Sequence, residues 1–333
     1  VADSTACYLI DPLAISDWKP LARLFENQDV TKVFHACAED LEVCRRLTGA
    51  LPSPLADTQL AAAMAGIGGS MGFQRLVLAL LDVEVGKEET RSNWLQRPLS
   101  DDQIRYAVAD VFYLHQIYPM LIEKLEQLSR YSWLLEDSAR QLADLSTEQP
   151  RHEYYRRVKL AWKLRTNEQH ILRELAAWRE DQARAQDVPR NKVVDDGCLW
   201  NMARYKPERK DQLAKSGMKP DVIRQHGDTV LALIKEAASA PESAWPQKLD
   251  RPLSPDAGQW LKTAKSLVTS RADMLGIPPE ILLRKKPLEQ LIRVAYFKKG
   301  EVPELLEGWR KTEIFEPLLA LLDELAAGDS AFD

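Results

Sequence analysis

A tyrosine and an aspartate four residues apart, Tyr106 and Asp110, are the side chains whose types and spacing most directly suggest chemistry in this sequence. The segment around them, residues 101–114, contains no Gly or Pro and begins with two acids, which predicts a helix. On a helix, side chains four residues apart point the same way. The Tyr106 phenol and the Asp110 carboxylate would therefore lie on the same face of the helix.

Asp110 also belongs to an apolar row of the predicted helix, with Ala107, Leu114, Ile117 and Leu121. A carboxylate on a buried row is costly unless a cation or a hydrogen-bond donor meets it. No Lys or Arg lies on this row. A metal ion is one candidate partner.

A second acid, Asp40, lies where a predicted strand over residues 30–36 passes into a helix that opens at residues 39–44. Such corners collect functional groups in α/β proteins. An Asp near a helix start is more often a cap or a partner of the helix dipole. Taken alone, Asp40 supports no functional claim.

Four strings occur in an order that resembles a known family: HACAEDLE at 35–42, DTQLAA at 57–62, SNWLQRPL at 92–99 and YAVAD at 106–110. They resemble ribonuclease D, a bacterial 3′-to-5′ exoribonuclease of the DEDD group with Tyr in its last motif. The resemblance implies an α/β nuclease domain of the ribonuclease H-like DEDD exonuclease fold, followed by two all-α HRDC-like domains.

One family motif is missing, an Asp-x-Glu on the first strand of the nuclease sheet. The segment at residues 6–10 resembles the family's third strand, and the absent strands would lie between it and the strand at residues 30–35. We expect the natural protein to be longer, and the chain as given to be inactive.

The resemblance implies two divalent ions per site, Mg²⁺ or Mn²⁺, held by four acids of which Asp40 and Asp110 are two. Such ions, about 3.5–4 Å apart, can activate a water and stabilise a leaving alkoxide. Tyr106 would orient that water, and nucleoside 5′-monophosphates would leave the RNA's 3′ end. A family-like loop adds Lys87, Trp94 and Arg97 as candidate substrate contacts, although Trp94 could equally fix the loop by packing. His35 is better explained as a packed histidine than as a ligand.

Composition agrees with a large cytoplasmic enzyme. The 333 residues predict two or three domains, and 29% charged residues with no long apolar run exclude a membrane span. Four widely spaced cysteines form no C-x-x-C pair, which argues against a zinc site and suits a reducing compartment. We expect a monomer, as suits a nuclease that threads a free strand end.

The second half of the chain is basic and helical. Residues 1–150 hold 13 Lys and Arg against 22 Asp and Glu, whereas residues 151–240 hold 19 against 13. A basic segment suits a polyanion, although ordinary surface variation explains the difference equally well. Three tryptophans, Trp162, Trp178 and Trp200, lie among basic residues, and aromatic rings beside positive charge can stack RNA bases. Core packing is the stronger explanation for each ring. The candidate RNA contacts are therefore the nearby cations Lys159, Lys163, Arg173 and Arg179.

A weak internal repeat at an offset of 89 residues joins Val188-Pro189 to Ile277-Pro278 and predicts two copies of one small helical domain. Both resemble HRDC domains. The predicted organisation is an exonuclease domain, a helical connection and two HRDC-like domains, at residues 1–128, 129–158, 159–240 and 245–328.

Two other functions compete with the nuclease. A non-catalytic RNA-binding protein could keep the scaffold, but it would have no need for Asp40, Tyr106 and Asp110 together. An accessory piece of a helicase is disfavoured because no G-x-x-x-x-G-K-[ST] string occurs.

The resemblance further implies tRNA precursors with 3′ extensions as substrates.

Overall fold

The structure is a computed structural model that describes residues 1–86, 88–146 and 150–329. It divides into two compact units, each with its own apolar core. The first unit joins Val1–Thr147 with Leu253–Asp333, and the second is Glu148–Pro252.

The N-terminal part of the first unit, over the residues described, is built from α-helices and two short strands. They are α1 (Lys19–Glu26), β1 (Lys32–Phe34), α2 (Ala38–Thr48), β2 (Leu55–Asp57), α3 (Thr58–Met64), α4 (Phe73–Leu81), α5 (Asp101–Gln127) and α6 (Tyr131–Ser146). The strands pair in parallel, with Val33 opposite Ala56. The predicted strand before Asp40 and the helix after it are both confirmed.

Helix α5 has the two predicted acids at its start and also a capping box that was not predicted. Ser100 and Gln103 form a capping box, in which each side chain bonds the other residue's backbone, and Asp101 and Asp102 lie in the first turn. Further along, Ile117 and Leu121 are fully buried. The row that carries Asp110 therefore enters the core, as the apolar spacing indicates.

The strand predicted over residues 6–10 is wrong. This region forms only an isolated antiparallel bridge between Ala2 and Cys7, and Tyr8 and Leu9 are about half exposed. A strand of a sheet needs a neighbour to pair its backbone groups, and among the residues that the structure describes neither β1 nor β2 pairs with this segment. Local sequence preference alone does not form a ladder.

The second unit is entirely helical over the residues described. A 3₁₀ segment at Arg151–Arg157 leads into α7 (Thr166–Ala185), α8 (Arg190–Val193), α9 (Asp196–Tyr205), α10 (Lys210–Lys215) and α11 (Pro220–Ala238). Asp195 caps α9 by accepting a hydrogen bond from the backbone N–H of Cys198 at 2.9 Å. Helix α7 is buried nearly all round and forms the centre of this unit.

The C-terminal part of the first unit repeats this pattern. It contains α12 (Pro255–Leu275), α13 (Pro279–Leu282), α14 (Lys285–Phe297) and α15 (Glu316–Asp329), the last preceded by a π-helical turn at Lys311–Phe315. The short helices α8 and α13 follow directly after Pro189 and Pro278. The predicted internal repeat is therefore confirmed as two copies of one helical pattern.

One continuous core joins α12–α15 to the N-terminal part of the first unit. Leu121 and Leu125 from α5 belong to the same buried cluster as Trp260 and Leu288. Within the ranges described, no helix combines the length and apolar character needed to cross a bilayer.

Candidate active site

Asp110 is a half-buried carboxylate with no hydrogen-bond or ion-pair partner among the described residues. Burial alone raises its pKa to about 6, because the charged form has lost solvent without gaining a partner. A carboxylate in this condition gains from a cation brought to it. Hard divalent cations prefer such oxygen ligands.

Tyr106 is one turn before Asp110 and is held by a neighbouring segment. Its hydroxyl lies 3.3 Å from Oγ1 of Thr90, and its ring centroid lies 6.1 Å from that of Trp94. The Trp94 indole N–H donates to the backbone oxygen of Glu89 at 3.1 Å. Trp94 therefore packs within this loop and orients the Tyr106 ring; its predicted contact with substrate stays a prediction.

The same segment is tied to the start of α5. The side-chain amide of Gln103, which is almost fully buried, donates to Oγ of Ser92 at 3.0 Å and to the backbone oxygen of Asn93 at 3.2 Å. These hydrogen bonds hold the loop against α5, so the Tyr106 hydroxyl has a defined position.

Asp40 lies in the first turn of α2, on the solvent side. Its pKa is raised because the carboxyl group is partly desolvated and because the acids Glu39 and Asp57 are close. Neither cause supplies a hydrogen bond to the carboxylate. Asp40 is therefore also a carboxylate that a cation would stabilise.

The corner before Asp40 is built by a buried acid to which the sequence assigned no role, Asp57. Its carboxylate accepts hydrogen bonds from the backbone N–H groups of Ala36 at 2.9 Å, Cys37 at 3.1 Å and Gln59 at 2.8 Å. Ala36 has a φ of 55°, a left-handed conformation that a non-glycine residue rarely adopts. Asp57 therefore holds this turn. Its place in the sequence, after an apolar strand and before Thr58, indicates only a helix cap and not this second role.

His35 is a packed residue, as the sequence favoured. One ring nitrogen, Nδ1, lies 2.9 Å from Oγ1 of Thr58, and the other, Nε2, lies 3.0 Å from the backbone oxygen of Met71. Burial lowers its pKa, which favours the neutral ring. With both nitrogens engaged, His35 is not free to bind a metal.

The structure brings Tyr106 and Asp110 onto one helix and Asp40 onto a neighbouring element, since α5 packs against β1 and α2 follows β1. No group of three His, Cys, Asp or Glu side chains converges within the part of the chain described. The donors fit a divalent cation in type, and Asp110 lacks any other partner among the described residues.

Arg97 is committed to its own chain. It forms a bidentate pair with Asp11, with Nε and Nη2 at 2.7 and 2.6 Å from the two carboxylate oxygens. These hydrogen bonds hold the pKa of Asp11 at about 2. Its Nη1 also donates to the backbone oxygens of Trp94 and Gln96. Arg97 therefore fixes the loop, and its other predicted companion, Lys87, lies outside the described residues.

In the second unit, Lys159 and Lys163 are exposed and form one surface with two tryptophans. The Lys163 ammonium lies 5.5 Å from the centre of the Trp162 ring, and the Trp200 indole N–H donates to the backbone oxygen of Leu160 at 3.1 Å. Trp162 and Trp200 are both partly exposed. We call Lys159, Trp162, Lys163 and Trp200 the basic aromatic surface.

The predicted contribution of Arg179 to an RNA surface is wrong. Arg179 is only 5% exposed, and its Nη1 donates to the backbone oxygen of Val194 at 3.1 Å and to Asp196 at 2.8 Å. A buried, paired guanidinium is a structural group. The adjacent Trp178 is likewise buried in the core, as the alternative interpretation held.

Arg173 is half-buried and also bonded within its unit. It donates to Glu174 at 3.0 Å and to the backbone oxygen of Ala244 at 3.1 Å, and it lies 3.0 Å from the ring of His170. Its charge is used to join parts of the second unit. Lys159 and Lys163 remain as the cations of the predicted set that face solvent.

Comparison with known proteins agrees with this geometry. Residues 1–126 match a 3′-5′ exonuclease family, residues 168–234 match the HRDC domain, and residues 255–318 match the C-terminal HRDC domain of ribonuclease D. Asp40, Tyr106 and Asp110 all lie in the first match. Of the basic aromatic surface, Trp200 lies in the second match, and the other three residues precede it.

Two curated relatives cover nearly the whole chain. Ribonuclease D of Pseudomonas paraeruginosa is 47% identical over 97% of this chain and 86% of its own length. Ribonuclease D of Escherichia coli strain K12 is 37% identical over 95% of this chain and 85% of its own length. The chain belongs to the ribonuclease D family.

A solved member of the family has the same fold. The crystal structure of Escherichia coli RNase D, described as an exoribonuclease involved in structured RNA processing, matches with a TM-score of 0.91 and 36% identity, over 97% of this chain and 87% of that one. The predicted fold class is confirmed: a ribonuclease H-like exonuclease domain followed by two HRDC domains.

Membership in the ribonuclease D family makes this chain a 3′-to-5′ exoribonuclease that acts on RNA. The two functions that competed with the nuclease, a non-catalytic scaffold and a helicase accessory piece, are set aside. The exonuclease domain and the second HRDC domain share the first unit's core, whereas the first HRDC domain lies in the second unit.

Proposed function

We propose that Asp40 and Asp110 are two of the four acids that hold two divalent metal ions, Mg²⁺ or Mn²⁺, with which this exoribonuclease hydrolyses phosphodiester bonds from the 3′ end of RNA. The observation that carries the proposal is Asp110 itself: a half-buried carboxylate, without a partner among the described residues, one helical turn from a fixed tyrosine. When bound, such ions would lower the pKa of a water and stabilise the leaving oxygen.

The chain's own residues supply position and charge. Asp110 and Asp40 bind through carboxylate oxygens, and the corner that carries Asp40 is held by Asp57. The Tyr106 hydroxyl, fixed beside Thr90, orients the attacking water. The apolar surroundings of Asp110 limit solvent and strengthen the electrostatic interactions at the site.

The substrates that we propose are tRNA precursors with 3′ extensions. Support comes from the similar Escherichia coli enzyme, whose structure is described as that of an exoribonuclease involved in structured RNA processing. We further propose that the enzyme works as a cytoplasmic monomer, with domain boundaries at residues 1–128, 129–158, 159–240 and 245–328.

The test of this function is the product. The natural enzyme, given an RNA labelled at its 5′ end and a divalent metal, should shorten it stepwise and release nucleoside 5′-monophosphates. A terminal 3′-phosphate should slow the first cleavage, because a 3′-to-5′ exonuclease engages the free end. Internal cuts, or activity unaffected by EDTA, would contradict the proposal.

The basic aromatic surface should contribute to RNA affinity by releasing counterions. Changing both Lys159 and Lys163 to Glu should weaken RNA binding and flatten the dependence of log affinity on log salt. The slope should change by about 0.7 for each single-strand phosphate that the two lysines neutralise in the unaltered protein. The measurement is a salt titration of binding to a single-stranded RNA and to a folded tRNA-like RNA.

The matched control reverses two exposed lysines on other helices of the same unit, Lys215 and Lys235. It makes the same change in net charge, so it separates a local surface from general attraction. Arg173 and Arg179 are left intact because their reversal would bury an unpaired charge. Equal slopes in both double variants would show that Lys159 and Lys163 form an ordinary solvated surface.

A further inference from the structure

The glycine-rich segment at residues 66–72, which we call the glycine loop, lies directly against the second HRDC domain. A Cβ atom on Gly66 would be 2.8 Å from the backbone oxygen of Gly276, and one on Gly69 would be 2.7 Å from Cγ of Pro278. Gly66 also has a φ of 73°, which disfavours any side chain. Glycine is thus needed here because two backbones approach closely.

A buried arginine fastens the same two elements. Arg130 is 9% exposed, and its guanidinium donates to the backbone oxygen of Met64 at 2.8 Å and to that of Leu275 at 2.6 Å. Met64 ends α3 and Leu275 ends α12, so one side chain satisfies the last turns of both helices. The start of the glycine loop and the turn after α12 are therefore held at a fixed separation.

The other end of the glycine loop is bonded to the proposed metal site's scaffold. The backbone oxygen of Met71 accepts from the side-chain amide of Gln59 at 2.9 Å and lies 3.0 Å from Nε2 of His35. His35 directly precedes Ala36, whose strained backbone N–H is held by Asp57. Four residues further on is Asp40.

We propose that the second HRDC domain positions the corner between β1 and α2 through the glycine loop, with His35 and Gln59 as positioning residues for Asp40. This inference rests on the proposed function in one respect, the assignment of Asp40 as a metal ligand. The glycine loop contacts Pro278 through Gly69 and His35 through the backbone oxygen of Met71, so a shift of the loop at Pro278 would also move His35. The second HRDC domain then supports the geometry of the catalytic site as well as being attached to the exonuclease domain.

The geometry explains why such support is needed. The left-handed Ala36 costs free energy, and a corner of this kind persists only where its surroundings fix it. Asp57 fixes it from β2, and His35 fixes it from the glycine loop. Loss of either support would let Asp40 move relative to α5, and residues that orient metal ligands change metal affinity or activity by about 10- to 100-fold.

The experiment uses Gly69→Ala, with Gly72→Ala as its matched control. A methyl on Gly69 meets Pro278, so the glycine loop must shift, whereas a methyl on Gly72 has no atom within 4 Å. Hydrogen exchange of the Ala36 and Cys37 amides should accelerate about tenfold or more in Gly69→Ala and stay unchanged in Gly72→Ala. In the natural enzyme, the metal concentration for half-maximal activity should rise about tenfold in Gly69→Ala only, with kcat recovering in excess metal.

A second variant keeps the test informative if Gly69→Ala folds poorly. Combining Gly69→Ala with Pro278→Gly removes the two proline atoms that the methyl would meet and should restore slow exchange at Ala36 and Cys37. Unchanged exchange at these two amides in Gly69→Ala, with faster exchange confined to α12 and α13, would overturn the inference. Accelerated exchange together with full activity of Asp40→Asn would keep the coupling and reject Asp40 as a ligand.

Discussion

Asp110→Asn should lower RNA hydrolysis by the natural enzyme by about 100-fold or more and leave its fold intact, because the change removes charge without removing volume. Tyr106→Phe should reduce the rate less and leave metal binding unchanged, since the phenol orients water and is not proposed as a ligand. Initial rates at saturating metal, with circular dichroism of each variant, provide the measurement. Near-normal activity of Asp110→Asn would contradict the assignment.

The pKa of Asp110 adds a pH dependence to this prediction. A folded-state pKa of about 6 lies above the usual carboxyl value, so protons compete with a cation below that pH. Metal affinity should fall as pH drops through 6. In the absence of metal, the ionised group destabilises the fold increasingly as pH rises from about 4 to 6. Asp110→Asn should therefore be more stable than the wild type at about pH 7 without metal, with the difference vanishing near pH 4.

The second large effect is on stability. Arg310→Met should lower the free energy of unfolding of the first unit by about 3 kcal/mol, because it leaves Asp137 in a buried setting without its main partner. The Arg310 guanidinium, 4% exposed as a residue, bonds both oxygens of Asp137 at 2.6 and 2.7 Å. It also donates to the backbone oxygens of Ile281 and Leu282. Urea denaturation followed by circular dichroism measures the change, with the second unit's transition as an internal reference.

The control is Arg105→Met, which removes an arginine from an exposed pair with Asp102. Both side chains are about 70% exposed, so the expected change is below about 0.5 kcal/mol. The double variant Arg310→Met with Asp137→Leu should be less destabilised than Arg310→Met alone, since no buried charge is left unpaired. Equal effects of Arg310→Met and Arg105→Met would show that the buried pair does not stabilise the unit.

Local signals in the sequence predicted those parts of the fold that depend on local interactions. The acidic first turn of α5, the apolar row through Ile117 and Leu121 and the strand before Asp40 follow from spacing over a few residues. The repeat around Pro189 and Pro278 was likewise visible. Each of these features depends on residues within one helical turn, one strand or one repeated segment.

Features that depend on distant partners could not be read in the same way. The strand expected at residues 6–10 failed because pairing depends on a neighbour. Arg179 looked like a surface charge until α7 proved to be buried nearly all round. Asp57 was assigned no role, because its hydrogen bond from the Ala36 backbone N–H spans 21 positions of sequence. In each case the deciding interaction lies far away along the chain.

Calorimetric titration of the natural enzyme with Mn²⁺ tests the central claim most directly, because it measures metal binding without relying on catalysis. We expect two bound ions at about pH 7.5, and a loss of affinity of about 10-fold or more in Asp110→Asn and in Asp40→Asn. Tyr106→Phe should bind as the wild type does. Unchanged Mn²⁺ affinity in both aspartate variants would contradict the assignment of Asp40 and Asp110 as the metal ligands.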